Sequence, residues 1–232
     1  MTALSAPGLS LRGFTPPLRL GAFKLIAFDM DSTLINIECI DEVADAAGRK
    51  AEVAAITEAS MRGEIADFKE SLSRRVAMLK GVPEAFLQEV FERRLQLNPG
   101  AQALVDAARA AGLKTLLVSG GFTYFADRVK QRLGLDEAYA NELDIEDGRL
   151  SGRVRGDILD AAAKRSHLLA LCARIGCSPQ QAIAVGDGAN DLQMMAAAGL
   201  SVAYHAKPAV RAQAMVAIET GGLDRLLEVV RP

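Results

Sequence analysis

The feature that most constrains this chain is a pattern repeated in three short segments: an apolar run that ends directly in acidic residues, serine or glycine. Continuous apolar runs of this length are typical of strands that are buried on both faces, and such strands occur in parallel sheets. Two weaker runs, at 200–204 and 215–218, predict further strands of the same sheet. The three strong runs are 24–28 before Asp29, 114–118 before Ser119-Gly120-Gly121, and 182–185 before Gly186-Asp187-Gly188.

Helical patterns lie between these strands, and each of them closes at a glycine. Glycine after the last helical turn is a common C-terminal signal, because it adopts the left-handed conformation without steric cost. Strands that alternate with helices predict an α/β fold with a doubly wound parallel sheet. The helical patterns are 101–111, 124–133, 161–175 and 191–198, and the glycines are Gly112, Gly134, Gly176 and Gly199.

Residues 35–97 interrupt this alternation, because they follow the first strand and contain no strand pattern. Their apolar spacing predicts several amphipathic helices, and the segment is too long for an ordinary loop between a strand and a helix. We therefore predict a small inserted α-helical cap domain at 35–97. The core domain is then formed by 23–34 and 98–232.

Two further segments fall outside the regular alternation. Residues 1–22 contain no acidic residue, three prolines and three glycines, and we predict a flexible N-terminal arm there. An Asp147-Gly148 pair between apolar residues predicts a tight hairpin within 141–154. We expect this hairpin at the edge of the sheet.

The composition argues against several classes of partner. The formal net charge is −2, so the chain lacks the basic excess that attracts nucleic acid, and no stretch approaches the roughly 18 continuous apolar residues of a membrane span. Cys39, Cys172 and Cys177 fit no metal-binding spacing, and a chain of this size needs no disulfides. We therefore predict a cytoplasmic protein that acts on a small molecule, either as a monomer or as a homodimer.

Four acidic residues follow the first and third strands and have no basic residue close to them in sequence. Because ligands of open α/β sheets bind beyond the carboxyl ends of the strands, these acids should meet in one crevice. Packing carboxylates together is unfavourable unless a cation lies between them. No histidine or cysteine accompanies them, so the hard oxygen ligands favour Mg²⁺ over a transition metal. The four residues are Asp29, Asp31, Asp187 and Asp191.

The second strand leads into a candidate anion site. Ser119, Gly120 and Gly121 offer a hydroxyl and backbone N–H groups at the start of a predicted helix, where an anion is favoured. Lys164 is a second candidate for binding a phosphate, although a lone lysine in a helix usually lies on a solvated face. Together with the acids, these groups predict the transfer of a phosphoryl group.

The spacing of Asp29 and Asp31 suggests how the reaction proceeds. On an extended segment, side chains two residues apart point the same way. One carboxylate can then attack phosphorus while the other gives a proton to the leaving oxygen and later takes one from water. This predicts a covalent aspartyl phosphate on Asp29.

These motifs, in this order and strand context, resemble those of the haloacid dehalogenase superfamily. The resemblance covers roughly residues 24–228 and is closest to the phosphoserine phosphatase family. It implies a Rossmann-like core with a helical cap, and hydrolysis of O-phosphoserine to serine and phosphate in serine biosynthesis. The residues that carry it are Asp29-Met30-Asp31-Ser32-Thr33, Val118-Ser119-Gly120-Gly121-Phe122, Gly156-Asp157-Ile158-Leu159-Asp160, Lys164, Gly186-Asp187-Gly188-Ala189-Asn190-Asp191 and Ala203-Tyr204-His205-Ala206-Lys207-Pro208.

The resemblance implies a role for each matching core residue. Asp29 is similar to the nucleophile and metal ligand, and Asp31 is similar to the general acid and base whose backbone carbonyl also ligates the metal. Asp187 resembles a further ligand, with Asp191 supporting the metal from outside its ligand shell. The matching phosphate binders are Ser119, Gly120 and Lys164, and Asn190 matches a substrate contact.

The cap residues are implied by the same resemblance. Glu38 matches the residue that binds the substrate ammonium, and Arg75 matches the residue that binds its carboxylate. Met61 and Phe68 match apolar residues that close the site, although the loop between them is one residue longer than the usual pattern, which leaves the role of Met61 open. Arg74 competes with Arg75, but it should face about 100° away on a helix.

Two alternatives remain open from the sequence. The chain could use the same chemistry on another small phosphomonoester, or transfer the phosphoryl group to a second alcohol such as homoserine. It could also be a non-catalytic sensor of phosphoamino acids. Intact Asp29 and Asp31 argue against a sensor, because a sensor needs the binding groups but not the acid and base.

Overall fold

The structure of the chain is a computed structural model that describes residues 7–62 and 64–231, without the side chain of Met61. Its centre is an eight-stranded sheet with the order β1-β9-β8-β7-β3-β4-β5-β6, and a small second sheet pairs β2 with β10. The strands are β1 Leu9–Leu11, β2 Leu18–Arg19, β3 Leu25–Phe28, β4 Lys114–Phe122, β5 Glu137–Glu146, β6 Arg149–Arg155, β7 Ala182–Gly186, β8 Leu200–Tyr204, β9 Val216–Ile218 and β10 Val230–Arg231.

Helices cover both faces of this sheet. Ile26 and Phe28 of β3 belong to one apolar cluster, whereas Leu25 and Ala27 belong to another, because alternate side chains of a strand point to opposite faces. Both faces are buried, so the prediction of a doubly wound α/β fold is confirmed. The helices are α1 Cys39–Ala46, α2 Lys50–Met61, α3 Phe68–Ala77, α4 Ala85–Arg93, α5 Ala101–Ala110, α6 Thr123–Leu133, α7 Ala161–Ile175, α8 Leu192–Ala197 and α9 Pro208–Arg211.

The strand β3 lies at the centre of the parallel part of the sheet. It pairs with β4 on one side and with β7 on the other, in a register that places Phe28 opposite both Leu117 and Val185. All four residues of β3 are fully buried, which explains the continuous apolar run in the sequence. The carboxyl ends of β7, β3 and β4 therefore lie side by side, as the three apolar runs predicted.

Helices α1 to α4 follow β3 and form the block that was predicted as a cap. An antiparallel bridge between Ile35 and Leu97 joins the two chain segments that enter and leave it. The block also contacts the sheet edge, because Gly81 and Leu150 are linked through the hydrogen bond from Gly81 N to Leu150 O at 2.8 Å. The division into a core and a cap domain stays a prediction, but the helical content of 35–97 is as expected.

The predicted hairpin is confirmed as β5 and β6, and β6 forms the edge of the sheet. Its turn has positive φ at both Asp147 (50°) and Gly148 (72°). A tight turn of this kind matches the right-handed twist of the two strands, and Asp-Gly is a favoured sequence for it.

The prediction of a flexible arm over 1–22 is wrong for residues 7–22. Strand β1 pairs antiparallel with β9, and β2 pairs with β10. Leu20 is fully buried, so burial of apolar side chains fixes a segment whose prolines and glycines suggested disorder. The arm's residues 1–6 lie outside the described part of the chain. Among the described residues, no helix combines the length and apolar character needed to cross a bilayer.

Candidate active site

The acidic residues gather at the carboxyl edge of the sheet. Asp29 follows β3, Asp187 follows β7, and Asp191 lies one turn later at the start of α8. One carboxylate oxygen from each of them lies within 4.8 Å of the others. Asp29 and Asp191 are almost completely buried, with 4% and 0% of their surface exposed. The three therefore form a compact group of oxygen ligands that can hold a divalent cation.

Lys164 lies against this group from α7. Its Nζ is 2.8 Å from Asp29 Oδ1 and 2.7 Å from Asp191 Oδ1, and its side chain is fully buried. Burial acts to lower the pKa of Lys164, but Asp191 and Asp29 outweigh it, so this pKa lies above its ordinary value. The lysine therefore stays charged and balances one of the three carboxylates.

Asp191 is engaged on both of its oxygens. Oδ1 accepts from Lys164, and Oδ2 accepts from the backbone N–H groups of Asp187 (3.2 Å) and Gly188 (3.1 Å). Its two oxygens therefore hold the side chain of Lys164 and the loop after β7 in place. That Asp191 supports a metal from outside its ligand shell stays a prediction, and both of its oxygens are engaged within the protein here.

The pKa of Asp187 is raised because the site is buried and these acids lie close together in it. Burial, then Asp29 and Asp191, raise its pKa to about 7, although a hydrogen bond from Thr33 Oγ1 at 2.9 Å acts in the opposite direction. Three carboxylates beside one lysine leave an excess of negative charge in a buried site. A bound dication removes that excess, so the residues present fit a divalent metal ion.

Asp29 and Asp31 have the extended backbone angles assumed from the sequence, but the chain turns at Ser32. Met30–Leu34 forms a wide turn rather than a regular helix, because Asp31 is extended (φ −61°, ψ 136°) and Ser32 has a positive φ of 56°. The hydrogen bond from Ile35 N to Met30 O at 3.1 Å closes this turn. Asn98 holds this turn, because its Nδ2 donates to Thr33 O at 2.8 Å and to Ile35 O at 2.9 Å. The neighbours of Asn98 in the sequence do not indicate this role, because its partners lie more than 60 residues away.

Asp31 still faces the same cleft as Asp29, but its carboxylate is not part of the acidic group. Its Oδ1 is buried and has no hydrogen-bond partner among the described residues. Burial, followed by the charge of Glu38 and of Asp29, raises the pKa of Asp31 well above its ordinary value. A raised pKa favours the protonated form of the carboxyl group, which can donate its proton to a leaving group.

The residues Ser119-Gly120-Gly121, here named the Ser-Gly-Gly segment, complete the core side of the cleft. Gly121 N donates to Ser119 Oγ at 2.9 Å, which leaves the hydroxyl proton available to an anion. A Cβ on Gly121 would lie 2.7 Å from Asp31 Oδ2, and a Cβ on Gly120 would lie 2.9 Å from Phe68 Cζ. A side chain at either position would therefore displace Asp31 or Phe68, which both line the cleft.

The cap contributes Glu38, Arg75 and Phe68 to the same cleft, as predicted. Ser32 Oγ donates to Glu38 Oε1 at 2.6 Å, and burial raises the pKa of Glu38. Glu38 is in contact with solvent, which screens its charge. We therefore expect a smaller rise in pKa at Glu38 than at Asp31. Arg74 instead pairs with Glu70 on the outer face of α3.

Arg75 carries an unused hydrogen-bond donor. Its Nε is buried and has no partner among the residues that the structure describes. Burial lowers the pKa of Arg75, and the nearest opposing charges are Asp41, Glu38 and Asp31. A buried donor of this kind normally has a hydrogen-bond partner. The lack of a partner among the described residues is consistent with a site for an acidic group of a ligand.

The cleft between the two halves has a volume of about 670 Å³. Asn190 lies in its wall as predicted, whereas the prediction for Met61 concerns a side chain outside the described residues. Two charged residues of the wall, Asp41 and Lys207, were not predicted from the sequence as site residues. Asp41 lies three residues after Glu38 on the same helix face, a spacing that could have pointed to it.

Comparison with known proteins agrees with this geometry. A family model described as haloacid dehalogenase-like hydrolase matches residues 23–199. A phosphoserine phosphatase of Albidiferax ferrireducens is 66% identical to this chain over 231 residues, and the match covers 98% of each protein. A phosphoserine phosphatase of Polaromonas sp. is 65% identical, with 97% of this chain and 98% of that protein covered.

Solved structures give the same result. A solved structure described as a phospho-aspartyl intermediate analogue of phosphoserine phosphatase superposes with a TM-score of 0.83 at 39% identity. The superposition covers 90% of this chain and 99% of that one. This chain therefore shares its overall fold with that phosphoserine phosphatase.

Proposed function

Because this chain belongs to the haloacid dehalogenase-like hydrolase family, we propose that it hydrolyses O-phosphoserine to serine and inorganic phosphate with Mg²⁺ as cofactor. This is the reaction that completes serine biosynthesis. The proposal combines a core site for phosphoryl transfer with a cap site for an amino-acid head group. Each part rests on separate residues and can be tested separately.

In the first step, Asp29 attacks phosphorus and forms an aspartyl phosphate. Its Oδ1 is held by Met30 N–H at 2.7 Å and by Lys164 at 2.8 Å, so the carboxylate is fixed in one orientation. Two unit charges about 4 Å apart repel by roughly 4 kcal/mol at an effective dielectric near 20, so attack on a dianionic ester needs positive charge nearby. Lys164 and the donors of the Ser-Gly-Gly segment provide part of it.

In the second step, water attacks the aspartyl phosphate. Asp31, which gave its proton to the leaving serine oxygen, now takes one from the water. Its high pKa suits the first of these roles, and its place in the cleft beside Asp29 suits both. Asp29 is regenerated and phosphate leaves.

The metal would be held by Asp29 and Asp187, together with the backbone carbonyl of Asp31. Oxygen ligands alone, with charge to neutralise, favour Mg²⁺. When bound, the ion supplies charge neutralisation on the phosphoryl oxygens. Asp191 would keep Lys164 and the loop of Asp187 in place, as its hydrogen bonds do here.

The single observation that carries the choice of substrate is the buried Nε of Arg75, which lies in the same cleft as Asp29 and has no partner among the described residues. Arginine pairs with a carboxylate through two parallel hydrogen bonds, and Glu38 offers an anion for an ammonium group. A zwitterionic head group with a phosphate on its side chain satisfies all three sites at once. The curated relatives with 66% and 65% identity support the same substrate.

A substrate panel tests the proposal. Phosphate release is measured with Mg²⁺ for O-phosphoserine, for phosphoethanolamine, which lacks the carboxylate, and for phosphoglycolate, which lacks the ammonium group. We expect kcat/KM for O-phosphoserine to exceed the other two by about 10²-fold, the value of one or two charge-assisted hydrogen bonds. Equal cleavage of phosphoethanolamine would refute the role of Arg75.

Two further arms of the same assay test the cofactor and the acceptor. Ca²⁺ in place of Mg²⁺ should support little turnover, because it prefers more ligands and a looser shell. Added homoserine should leave the yield of inorganic phosphate unchanged. A phosphorylated acceptor among the products would show a phosphotransferase instead.

A further inference from the structure

Asn141 is a buried polar side chain whose partners lie on both sides of the candidate phosphate site. It belongs to β5, and 2% of its surface is exposed. Its Nδ2 donates to Gly120 O at 2.8 Å, and its Oδ1 accepts from Leu159 N at 2.7 Å. The side chain therefore links the Ser-Gly-Gly segment to the segment that leads into α7.

The chemistry of the two partners fixes the orientation of this amide. Gly120 O can only accept a hydrogen bond, and Leu159 N–H can only donate one. A flipped amide would place two acceptors together at Gly120 and two donors together at Leu159. Only one orientation satisfies both, so Asn141 acts as a rigid spacer between two backbone segments.

The contact at Gly120 controls a peptide that is otherwise free to turn. The peptide between Gly120 and Gly121 is planar, so its C=O and N–H point in opposite directions. Asn141 holds the C=O, while the N–H donates to Ser119 Oγ at 2.9 Å. Glycine permits conformations that other residues avoid, so a Gly-Gly peptide without the Asn141 contact could rotate and release the Ser119 hydroxyl.

The contact at Leu159 reaches the other phosphate-binding candidate. Asp160 follows directly and caps α7, since its Oδ1 accepts from Ala163 N at 2.9 Å. Lys164 lies on the first turns of that helix and contacts Asp29. Asn141 therefore sets the separation between the Ser-Gly-Gly segment and the start of the helix that carries the lysine.

The sheet also has an irregularity at this point. The register between β4 and β5 shifts between Val118 and Phe122, and Phe122 is paired with Asn141 after the shift. The Ser-Gly-Gly segment thus lies where the regular ladder is interrupted. The hydrogen bond from Asn141 to Gly120 O is made at this irregularity, and bulges are over-represented next to active sites.

We propose that Asn141 is a positioning residue that holds the Ser-Gly-Gly segment and the start of α7 in the geometry that binds the phosphoryl group. This inference rests on the proposed function, because it assumes that the cleft binds a phosphate. Asn141 does not line the cleft itself, so it acts through Gly120, Ser119 and Leu159.

The test uses two variants of the full chain and one matched control. Asn141→Ala removes both contacts. Asn141→Asp has nearly the same shape and keeps an acceptor for Leu159 N, but it turns an acceptor toward Gly120 O. The control is Thr115→Val at the other end of β4, where Thr115 is fully buried and exchanges hydrogen bonds of 2.8 and 2.9 Å with Asp136. It also removes two buried hydrogen bonds, but far along the strand from the Ser-Gly-Gly segment.

Three quantities are measured for each protein: the thermal unfolding midpoint, KM and kcat for O-phosphoserine, and the affinity for inorganic phosphate by calorimetry. We expect both Asn141 variants to weaken phosphate binding and raise KM by about tenfold, the value of one buried hydrogen bond. Thr115→Val should lower the unfolding midpoint to a similar degree and leave KM and phosphate affinity unchanged.

Equal loss of stability in all three variants with unchanged phosphate affinity would overturn the inference, since Asn141 would then be structural only. If Asn141→Ala does not fold, wild-type phosphate affinity in Asn141→Asp would overturn it in the same way. Failure of the proposed function can be told apart from failure of this inference. If the wild-type protein binds phosphate but does not cleave O-phosphoserine, the proposed function fails, and the effect of Asn141 on phosphate affinity can still be measured.

Discussion

The core half and the cap half of the cleft differ in how far their polar groups are already satisfied. On the core side, Asp29, Asp191 and Lys164 are buried and joined by hydrogen bonds of 2.7 to 2.8 Å. On the cap side, Glu38 keeps contact with solvent and Arg75 has a buried Nε without a partner among the described residues.

This difference separates two tasks. Preorganised groups stabilise a charge that develops during a reaction, because they need no reorganisation at that moment. Groups with unused hydrogen-bonding capacity gain most when a ligand arrives. We therefore expect core substitutions to lower kcat and cap substitutions to raise KM.

Replacement of the nucleophile should have the largest effect. Asp29→Asn keeps the shape of the side chain but removes the attacking oxygen charge, so kcat should fall by about 10⁴-fold or more. The assay is phosphate release at saturating O-phosphoserine. Asp106→Asn, on the exposed face of α5, serves as the matched control and should retain full activity. Turnover above a tenth of wild type in Asp29→Asn would contradict the assigned mechanism.

Replacement of Lys164 should come next, and it should affect stability as well as turnover. Lys164→Met leaves Asp29 and Asp191 buried without their cation, which costs about 3–5 kcal/mol when one partner of a buried pair is removed. Lost stabilisation of the phosphoryl charge should lower kcat by about 10²–10³-fold. Denaturant unfolding and steady-state kinetics measure the two effects.

Lys24→Met provides the control for this prediction. Lys24 is exposed and precedes β3 at the end of the sheet opposite the cleft. The substitution Lys24→Met removes the same charge as Lys164→Met, but from this exposed position. We therefore expect its stability and kcat to be unchanged from the wild type. Similar losses in both variants would mean that the overall charge, rather than the buried contacts of Lys164, is responsible.

The cap half is tested by two adjacent arginines. Arg75→Ala should raise KM for O-phosphoserine by about 10–100-fold with a smaller change in kcat, because it removes charge-assisted hydrogen bonds to the substrate carboxylate. It should leave KM for phosphoethanolamine nearly unchanged. Arg74→Ala removes a similar side chain that pairs with Glu70 outside the cleft, so its KM should stay at the wild-type value. Equal effects of the two substitutions would remove the distinction between core and cap roles.

The smallest expected effect concerns a contact between the two halves. Lys69 of α3 lies 3.3 Å from Asp160, with 47% and 28% of the two side chains exposed. Exposed ion pairs contribute at most about 1 kcal/mol, so Lys69→Met should raise KM by no more than about fivefold, through weaker contact of the cap with the core. Steady-state kinetics at low and high salt measure this, and high salt should reduce the difference.

Lys50→Met is the control, because Lys50 pairs with Asp45 at the same distance of 3.3 Å but within the cap. It should leave KM unchanged. A larger effect of Lys50→Met than of Lys69→Met would show that cap stability, and not the contact across the cleft, matters.

Much of the core could be predicted from the sequence because its signals are local. Apolar runs predicted β3, β4 and β7, and the polar residues that follow them predicted Asp29, Ser119 and Asp187 at one edge. The rest depended on partners far apart in the chain. Asn98 and Asn141 contact segments that are distant in sequence, so neither could be recognised from its neighbours.

The N-terminal segment illustrates the same limit. Its prolines and glycines predicted disorder for residues 7–22, yet β1 and β2 pair with strands from the other end of the chain. Local propensity carried no information about those partners, because pairing energy comes from backbone hydrogen bonds and burial that exist only once the sheet has formed.

The sequence by itself determined which strands are followed by the polar groups of the site, and which residues are the acids and glycines there. Each of these depends on residue type and on neighbours in the chain. Only the tertiary structure decided that Lys164 lies between Asp29 and Asp191, that Asp31 lies outside the acidic group, and that Arg75 rather than Arg74 faces the cleft. The physical reason is that burial and charge contacts depend on packing, and packing joins residues that the sequence keeps apart.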